Sequence, residues 1–531
     1  MNRKSPFDLL VTAALNVLAV TAFSPASSGA EPIAVAPAKM PRTGAVDERF
    51  QSFNVEMVEV TGGRFWAPYK SSAAPEAAPA AKLATPGLDP AAFRMRAPTD
   101  LANSRLRKLA AALGPAYVRV SGTWANSTYF HDSDAPPPAT PPAGFGGVLT
   151  RSQWRGVVDF SRAVNAEIVT SFTISDGVRD TKGVWIPDQA RKFLAFTKAS
   201  GGTIRAAEFF NEPTFPSQGG APKGYDAAAY GRDFAVFLPF ARKTAPDMLI
   251  LGPGSVGEAW SVAAAMSLVK SEDMLTATGR GLDAFSYHFY GAVSKRCAVM
   301  GSTMQTSPEA ALSEEWLSRP DRDVAFYSAL RDRFEPGKPL WLTETAEAAC
   351  GGNPWAASFV DSFRYLDQLG RLAKRGVQVV AHNTLAAGDY GLIDEATLAP
   401  RPNYWSALLW HNLMGKTVLD AGTSPAPAVH LYAHCLRDHP GGVALLAINT
   451  DREASHDLAS PIPSERYTLT AKDLLGTSVE LNGSELKLGA QDAMPKITGK
   501  RSGAGQVTLA PATITFLAFP NAGNASCLIV E

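Results

Sequence analysis

Eight short apolar runs, separated by amphipathic stretches, constrain this chain more than any other feature. They are FNVEMVEV (53–60), AYVRVSG (116–122), EIVTSFTI (167–174), AAEFFNE (206–212), MLILGPG (248–254), AFSYHFY (284–290), PLWLTET (339–345) and VQVVAHNT (377–384). Runs this continuously apolar are strands buried on both faces, as in a parallel sheet covered by helices. Between them lie helical patterns such as DLANSRLRKLAAALG (100–114), with Thr99 or Asp100 as cap and Gly114 as stop. Another is FVDSFRYLDQLGRLAKRG, with Gly376 past its last turn, and NYWSALLWHNLMG (403–415) reads as a closing helix. The alternation predicts an α/β fold, a (β/α)8 TIM barrel over 51–416, with working residues at the carboxyl ends of the strands. Two Pro/Ala-rich inserts, 71–87 and 134–147, cannot supply a packed core and are expected as extended or disordered loops.

Beyond residue 416 the pattern changes to short runs broken by Gly, Asn and Pro: VHLYAHCL, GVALLAIN, ERYTLTA, SVELNG, ELKLG and TITFLAF. This spacing predicts an appended all-β sandwich over 417–531. At the other end, basic MNRK, apolar LLVTAALNVLAVTAF and small Ser28 and Ala30 read as an export signal over 1–30. Residues 31–50 form a linker with a strand segment able to join the sandwich. Lys+Arg and Asp+Glu balance at 50 each, so no overall field attracts nucleic acid or an anionic membrane. Export makes Cys297, Cys350, Cys435 and Cys527 a candidate disulfide set, open to three connectivities. None forms a CxxC pair, which argues against structural zinc.

The stretch AAEFFNEPTF (206–215) is the first pointer to chemistry. Pro213 cannot continue a ladder, so Asn211 and Glu212 stand at the mouth of the fourth strand, and Thr343 and Glu344 end the seventh. A carboxylate buried there is costly unless it has work or a partner. Two carboxylates far apart in sequence and converging on one mouth are the working parts of glycoside hydrolysis, where one protonates the leaving oxygen and the other attacks the anomeric carbon or activates water. The histidines show no HExxH-type spacing, no glycine-rich phosphate loop follows a strand, and neither a metal nor a cofactor is required.

Asn-Glu-Pro after strand four with a second Glu after strand seven resembles the clan of retaining barrel glycosidases. LGPAYVRVSGT (113–123), WLTETAEAACGG (341–352), AAGDYGLIDE (386–395), NYWSALLWHNLMGKTVL (403–419) and LYAHC (431–435) resemble, in the same order, blocks of glycoside hydrolase family 79, the heparanase and β-glucuronidase family. The resemblance implies Glu212 as acid/base, Glu344 as nucleophile and Asn211 on the sugar 2-hydroxyl. It places Glu56 on ring hydroxyls with Thr123 beside it, and His288 and Tyr290 against the nucleophile and the sugar. Gly351, Gly352 and Tyr390 match the positions that hold the uronate carboxylate, and His382 and Asn383 line the same subsite. Asp176 in TISDG is divided between facing the leaving group and surface solvation. The resemblance also implies a Cys435–Cys527 bridge, after which Cys297 and Cys350 would pair and help fix the uronate site. The expected partner is a β-glucuronide carbohydrate, with oligomeric state open. Exo action is favoured over endo action on a sulfated chain, because VSKRC (293–297) is the nearest basic run and the long inserts could wall the cleft. An inactive sugar-binding protein is the reading from another class.

Overall fold

All eight apolar runs are strands of one parallel sheet that closes on itself: β1 Gln51–Glu56, β2 Ala116–Ser121, β3 Ala166–Ser171, β4 Ile204–Glu208, β5 Leu249–Ser255, β6 Ala284–Tyr290, β7 Leu340–Ala346 and β8 Val377–His382. The computed structural model describes residues 31–69, 89–259, 268–300 and 304–528. The expected export signal (1–30) and the 71–87 insert lie outside the described residues. Among those described, no helix is long and apolar enough to cross a membrane.

Several boundaries differ from the sequence reading, each for a local reason. The first strand stops at Glu56, where a capping box takes over: Glu56 N–H donates to Glu59 Oε2 at 2.7 Å, and Met57–Thr61 turns into helix. The third ends at Ser171 and the fourth at Glu208, so Asn211 and Glu212 lie in the loop beyond. Helix α1 (Ser104–Ala111) is capped by Asn103, whose Oδ1 accepts from the N–H groups of Arg105 and Leu106, and not by Thr99 or Asp100. Helix α2 (Phe359–Lys374) ends as expected, with Gly376 at φ 77°. Helix α3 (Pro402–Leu413) closes the barrel. The insert at 134–147 is irregular yet placed: Gly177 N–H donates to Gly144 O at 3.2 Å, and Phe145 meets Tyr129 edge-on at 5.2 Å.

Side chains alternate along the strands, and the barrel interior changes character as it rises. Its floor is apolar: Tyr117, Val169, Ala206, Leu251, Ala284, Trp341 and Val379 form one buried cluster. Two residues further along five of these strands the same inward face carries Arg119, Ser171, Glu208, Ser286 and Thr343, all buried. The β7 register shifts between Leu342 and Thr345 against β8, and between Tyr287 and His288 against β6, leaving His288 and Glu344 as partners on adjacent strands.

The sandwich is assembled from both chain ends. Arg42–Ala45 pairs with β9 (Met414–Leu419), which continues through β10 (Val429–Leu436), β11 (Val443–Asn449), β15 (Thr513–Phe519) and β13 (Ser464–Thr470). Ile33–Ala34 pairs with β12 (His456–Ser460), and β14 (Gly505–Leu509) completes that second sheet. Of the expected runs, SVELNG and ELKLG contribute only two-residue pairs, Glu480–Leu481 and Ser484–Glu485. Cys435–Cys527 ties the last segment to β10, with a sequence separation of 92.

Barrel and sandwich meet across α2, where a polar knot sits inside the apolar contact. Asp367 Oδ1 accepts from Tyr432 OH and His430 Nδ1, both at 2.6 Å, and Asp367 Oδ2 accepts from Arg371 Nε at 2.6 Å. Burial disfavours the Asp367 charge, but His430 and Arg371 outweigh it and hold the carboxyl below its usual range. Gly370 leaves room for the Tyr432 ring, which a Cβ there would meet at 2.3 Å. Asp367→Ala strands three donors in the interface, and we expect a loss of about 3–5 kcal/mol, read as a lower denaturant midpoint monitored by tryptophan fluorescence.

Candidate active site

The expected residues come together at the carboxyl mouth of the barrel, around a cation that sequence reasoning missed. Arg119, 1% exposed, rises from β2 and donates from Nη1 to Glu344 Oε2 at 2.8 Å. Its Nη2 donates to Glu208 Oε2 at 2.9 Å and to Asn211 Oδ1 at 2.7 Å. Glu208, fully buried, also accepts from Ser286 Oγ at 2.9 Å and Thr343 Oγ1 at 2.7 Å through Oε1. Burial alone would raise the Glu208 carboxyl; Arg119 and His288 overcome that and hold it well below the usual range. Glu208 had shown only as an interruption in an apolar run, and Arg119 as one polar position in AYVRVSG. Their alternation with Ala206 and Tyr117 is the signal that could have found them.

Glu212 sits in the loop after β4 at φ 48°, a left-handed conformation unusual for a side-chain-bearing residue. Asn126, also unforeseen, pins that loop: its Nδ2 donates to Asn211 O and its Oδ1 accepts from Asn211 N, both at 2.8 Å. One oxygen of Glu212, one of Glu344 and a nitrogen of His288 lie within 4.8 Å of one another. Burial is the main force pushing the Glu212 carboxyl upward, reinforced by the negative charge of Glu344 and opposed by His288. Both oxygens of Glu344 accept hydrogen bonds, Oε2 from Arg119 and Oε1 from Tyr290 OH at 2.7 Å.

His288 stands between the acids, with Nδ1 at 3.0 Å from Glu212 Oε1. Burial disfavours its charge, yet Glu344, Glu208 and Glu212 push the imidazole up to about 9. The 3.1 Å approach of Arg119 Nη2 to His288 Nε2 suits an accepting nitrogen instead. In either protonation state Nδ1–H donates to Glu212, and that contact is the one relied on below. The Glu212–His288–Glu344 trio has the spacing of a cation site, but the Arg119 guanidinium already supplies positive charge 2.8 Å from Glu344, which disfavours a second cation there.

A second group lies across the mouth. Asn383 Nδ2 donates to Glu56 Oε1 at 3.1 Å, and to the hydroxyls of Tyr290 at 3.1 Å and Tyr390 at 3.3 Å. Glu56 Oε2 and Asn383 Oδ1 are buried with no hydrogen-bond partner among the described residues, which leaves polar capacity unsatisfied beside the mouth. Burial, then the Glu344 charge, raises Glu56 well above the usual carboxylate range. Gly122 makes this possible: a Cβ there would stand 1.6 Å from Glu56 Oε2. Thr123 follows it in a 3₁₀ turn, and its hydroxyl makes no hydrogen bond among the described residues. His382 stays neutral, pushed down to about 3 by burial, and its Nε2 donates to Tyr390 O at 2.8 Å. Asp176 is exposed.

Gly351 and Gly352 adopt φ 82° and 80°, in the loop after β7, and their N–H groups find no acceptor among the described residues. Two successive N–H groups without an acceptor are donors that a polar ligand could use. A Cβ on Gly352 would press on Tyr390 at 3.3 Å, so the glycine lets that ring lie close. Cys297 and Cys350 are bonded at 2.02 Å immediately before the pair.

A closed parallel barrel with two carboxylates across its mouth defines a (β/α)8 glycoside hydrolase, and comparison with known proteins narrows the class. No family model matches the chain. Heparanase-like protein 1 of Arabidopsis thaliana is 25% identical over 488 residues, covering 81% of this chain and 86% of that protein. Mouse heparanase is 26% identical over 505 residues, 81% of this chain and 88% of the relative. Baicalin-beta-D-glucuronidase of Scutellaria baicalensis is 33% identical over 190 residues, 34% of this chain and 36% of its own. Among solved structures, the GH51 arabinofuranosidase of Xanthomonas axonopodis pv. citri superimposes with a TM-score of 0.59 at 17% identity, covering 92% of this chain and 99% of that one. A 4-O-alpha-L-rhamnosyl-beta-D-glucuronidase from Fusarium oxysporum gives 0.57 at 14% identity, over 92% and 100%. The chain is a glycoside hydrolase of the heparanase and β-glucuronidase type, similar to heparanases and heparanase-like proteins over most of its length.

Arg119→Met leaves Glu208 and Glu344 buried without their cation. We expect a loss of about 3–5 kcal/mol in thermal or denaturant melts, part of it recovered when Glu208→Gln is added.

Proposed function

We propose that the protein is a retaining exo-β-glucuronidase acting by double displacement. The observation that carries this is the pair Glu212 and Glu344, with oxygens within 4.8 Å of each other. Retaining glycosidases hold their carboxyl groups about 5–5.5 Å apart, whereas inverting enzymes leave room for a water at about 6.5–9.5 Å. In the first step the anionic Glu344 attacks the anomeric carbon, while Glu212, whose hold on its proton is strengthened by burial, gives that proton to the departing oxygen. In the second, Glu212 takes a proton from water as the water displaces Glu344 from the sugar. Arg119 and Tyr290 aim the nucleophile, and Asn211, tethered by Arg119 and Asn126, is offered to the 2-hydroxyl.

Glu56 and Asn383 would take ring hydroxyls through their unpartnered oxygens. The uronate carboxylate would rest on the Gly351 and Gly352 N–H groups and the Tyr390 hydroxyl. Thr123 would join the same subsite only by turning its hydroxyl toward Glu56. Two features support exo over endo cleavage. The 134–147 insert folds against the loop after β3, and the neighbouring arginines Arg94 and Arg96 are both paired with Glu395 instead of being offered to a sulfated chain. The disulfides support an oxidising compartment and hence export. Hydrolysis follows from the carboxylate pair and water, so the proposal assigns no cofactor.

On a panel of aryl β-glycosides (glucuronide, glucoside, galactoside, xyloside) the glucuronide should be preferred, and Glu344→Gln should lower kcat at least about 10³-fold while substrate still binds. Release of terminal glucuronate without chain shortening of heparan sulfate, followed by gel filtration, separates exo from endo action. The pH profile tests the acid. His288 stabilises the ionised form of Glu212, so His288→Leu should move the alkaline limb of kcat/KM to higher pH and lower the maximum. A limb that stays or moves down would remove Glu212 from this role.

A further inference from the structure

We propose that Arg296 is a specificity-determining residue, whose guanidinium, buried directly behind the Gly351–Gly352 turn, supplies the charge that makes the site prefer a sugar bearing a carboxylate. This rests on the uronate reading above. Arg296 comes from the loop after β6, and its side chain is 7% exposed. Its Nη2 donates to Ala67 O and to Asp389 Oδ2, the latter at 3.0 Å, and its Nη1 approaches Cys350 O at 3.4 Å. The guanidinium also lies 3.8 Å from the centre of the Tyr69 ring. One cation thus joins the loops after β1, β6, β7 and β8.

Its position relative to the glycines is what suggests more than a fastener. A Cβ on Gly351 would stand 2.5 Å from Arg296 Nη1 and 2.6 Å from Trp66 Cβ, so the bare glycine lets the cation pack directly against the turn that carries the two unpaired N–H groups. The Cys297–Cys350 bridge flanks both residues, Ser294 Oγ donates to Cys350 O at 2.9 Å, and Lys295 N–H donates to Asn353 Oδ1 at 2.9 Å. The turn therefore cannot shift away from the guanidinium without breaking these ties. A burial-dominated upward push weakens the ionised form of Asp389, the acid paired with Arg296 among the described residues, and the Arg296 charge also reaches the Tyr390 hydroxyl. A neutral sugar would gain nothing from this field, whereas a carboxylate on the far side of the turn would.

The test compares an aryl β-glucuronide with the aryl β-xyloside, which lacks the carboxylate. In wild type the glucuronide must be preferred; hydrolysis of the xyloside alone would refute the uronate reading itself, whatever Arg296 does. In Arg296→Gln the glucuronide-to-xyloside ratio of kcat/KM should fall at least about tenfold, mostly through KM for the glucuronide. In Asp389→Asn, which removes the countercharge and keeps the shape, the ratio should hold or rise. A ratio unchanged in Arg296→Gln, or falling in Asp389→Asn as it does in Arg296→Gln, overturns the proposal in favour of a fastening role. Should Arg296→Gln not accumulate as folded protein, Arg296→Lys keeps the charge and should hold the ratio within about threefold of wild type; its collapse would equally overturn the proposal.

Discussion

One guanidinium organises the mouth of this barrel. Arg119 faces Glu208 below, Glu344 beside it and Asn211 above, and its three short contacts join β2, β7 and the loop after β4. A buried cation without partners would be prohibitively costly, and so would the two carboxylates. Together they cancel, and the requirement that they cancel holds each in one place. Glu208 is the silent member: it is fully buried, and Ser286, Thr343 and Arg119 saturate its oxygens, so Arg119 cannot drift from them without leaving a buried charge unpaired.

The same balance divides the acids into kinds. Glu208 and Glu344 sit against the guanidinium, whereas Glu56 and Glu212 meet burial and the Glu344 charge and are driven toward the protonated form. Chemically similar side chains are thereby pushed in opposite directions through position alone, as the proposed acid and nucleophile require. The half of the mouth around Glu56 and Asn383 follows another rule. There, backbone freedom matters most, with Gly122 clearing space for Glu56 and the Gly351–Gly352 turn presenting N–H groups over a fixed base of disulfide and salt bridge.

Much of this was legible beforehand because it is written in short-range pattern. Continuous apolar runs gave eight barrel strands, Pro213 marked where the fourth had to stop, and glycine-broken runs marked the sandwich. Ends were less legible. Asn103 instead of Thr99 or Asp100 caps α1, and the fourth strand ends at Glu208, because caps and last rungs depend on which neighbour offers a hydrogen bond. The sandwich also recruits Ile33–Ala34 and Arg42–Ala45, a pairing between chain ends that no local window contains.

By itself, then, the amino-acid order determined the architecture, the presence of two carboxylates close to the carboxyl ends of the fourth and seventh strands and the composition of the turn that follows the second, since periodicity, proline and glycine act within a few residues of themselves. Only the folded chain decided that Glu344 enters the interior through a register shift, that Arg119 and Glu208 neutralise one another beneath it, and that Arg296 stands behind Gly351. Compensation of buried charge is a relation between atoms a few ångströms apart in space and far apart along the chain. Neither partner carries any local mark of the other.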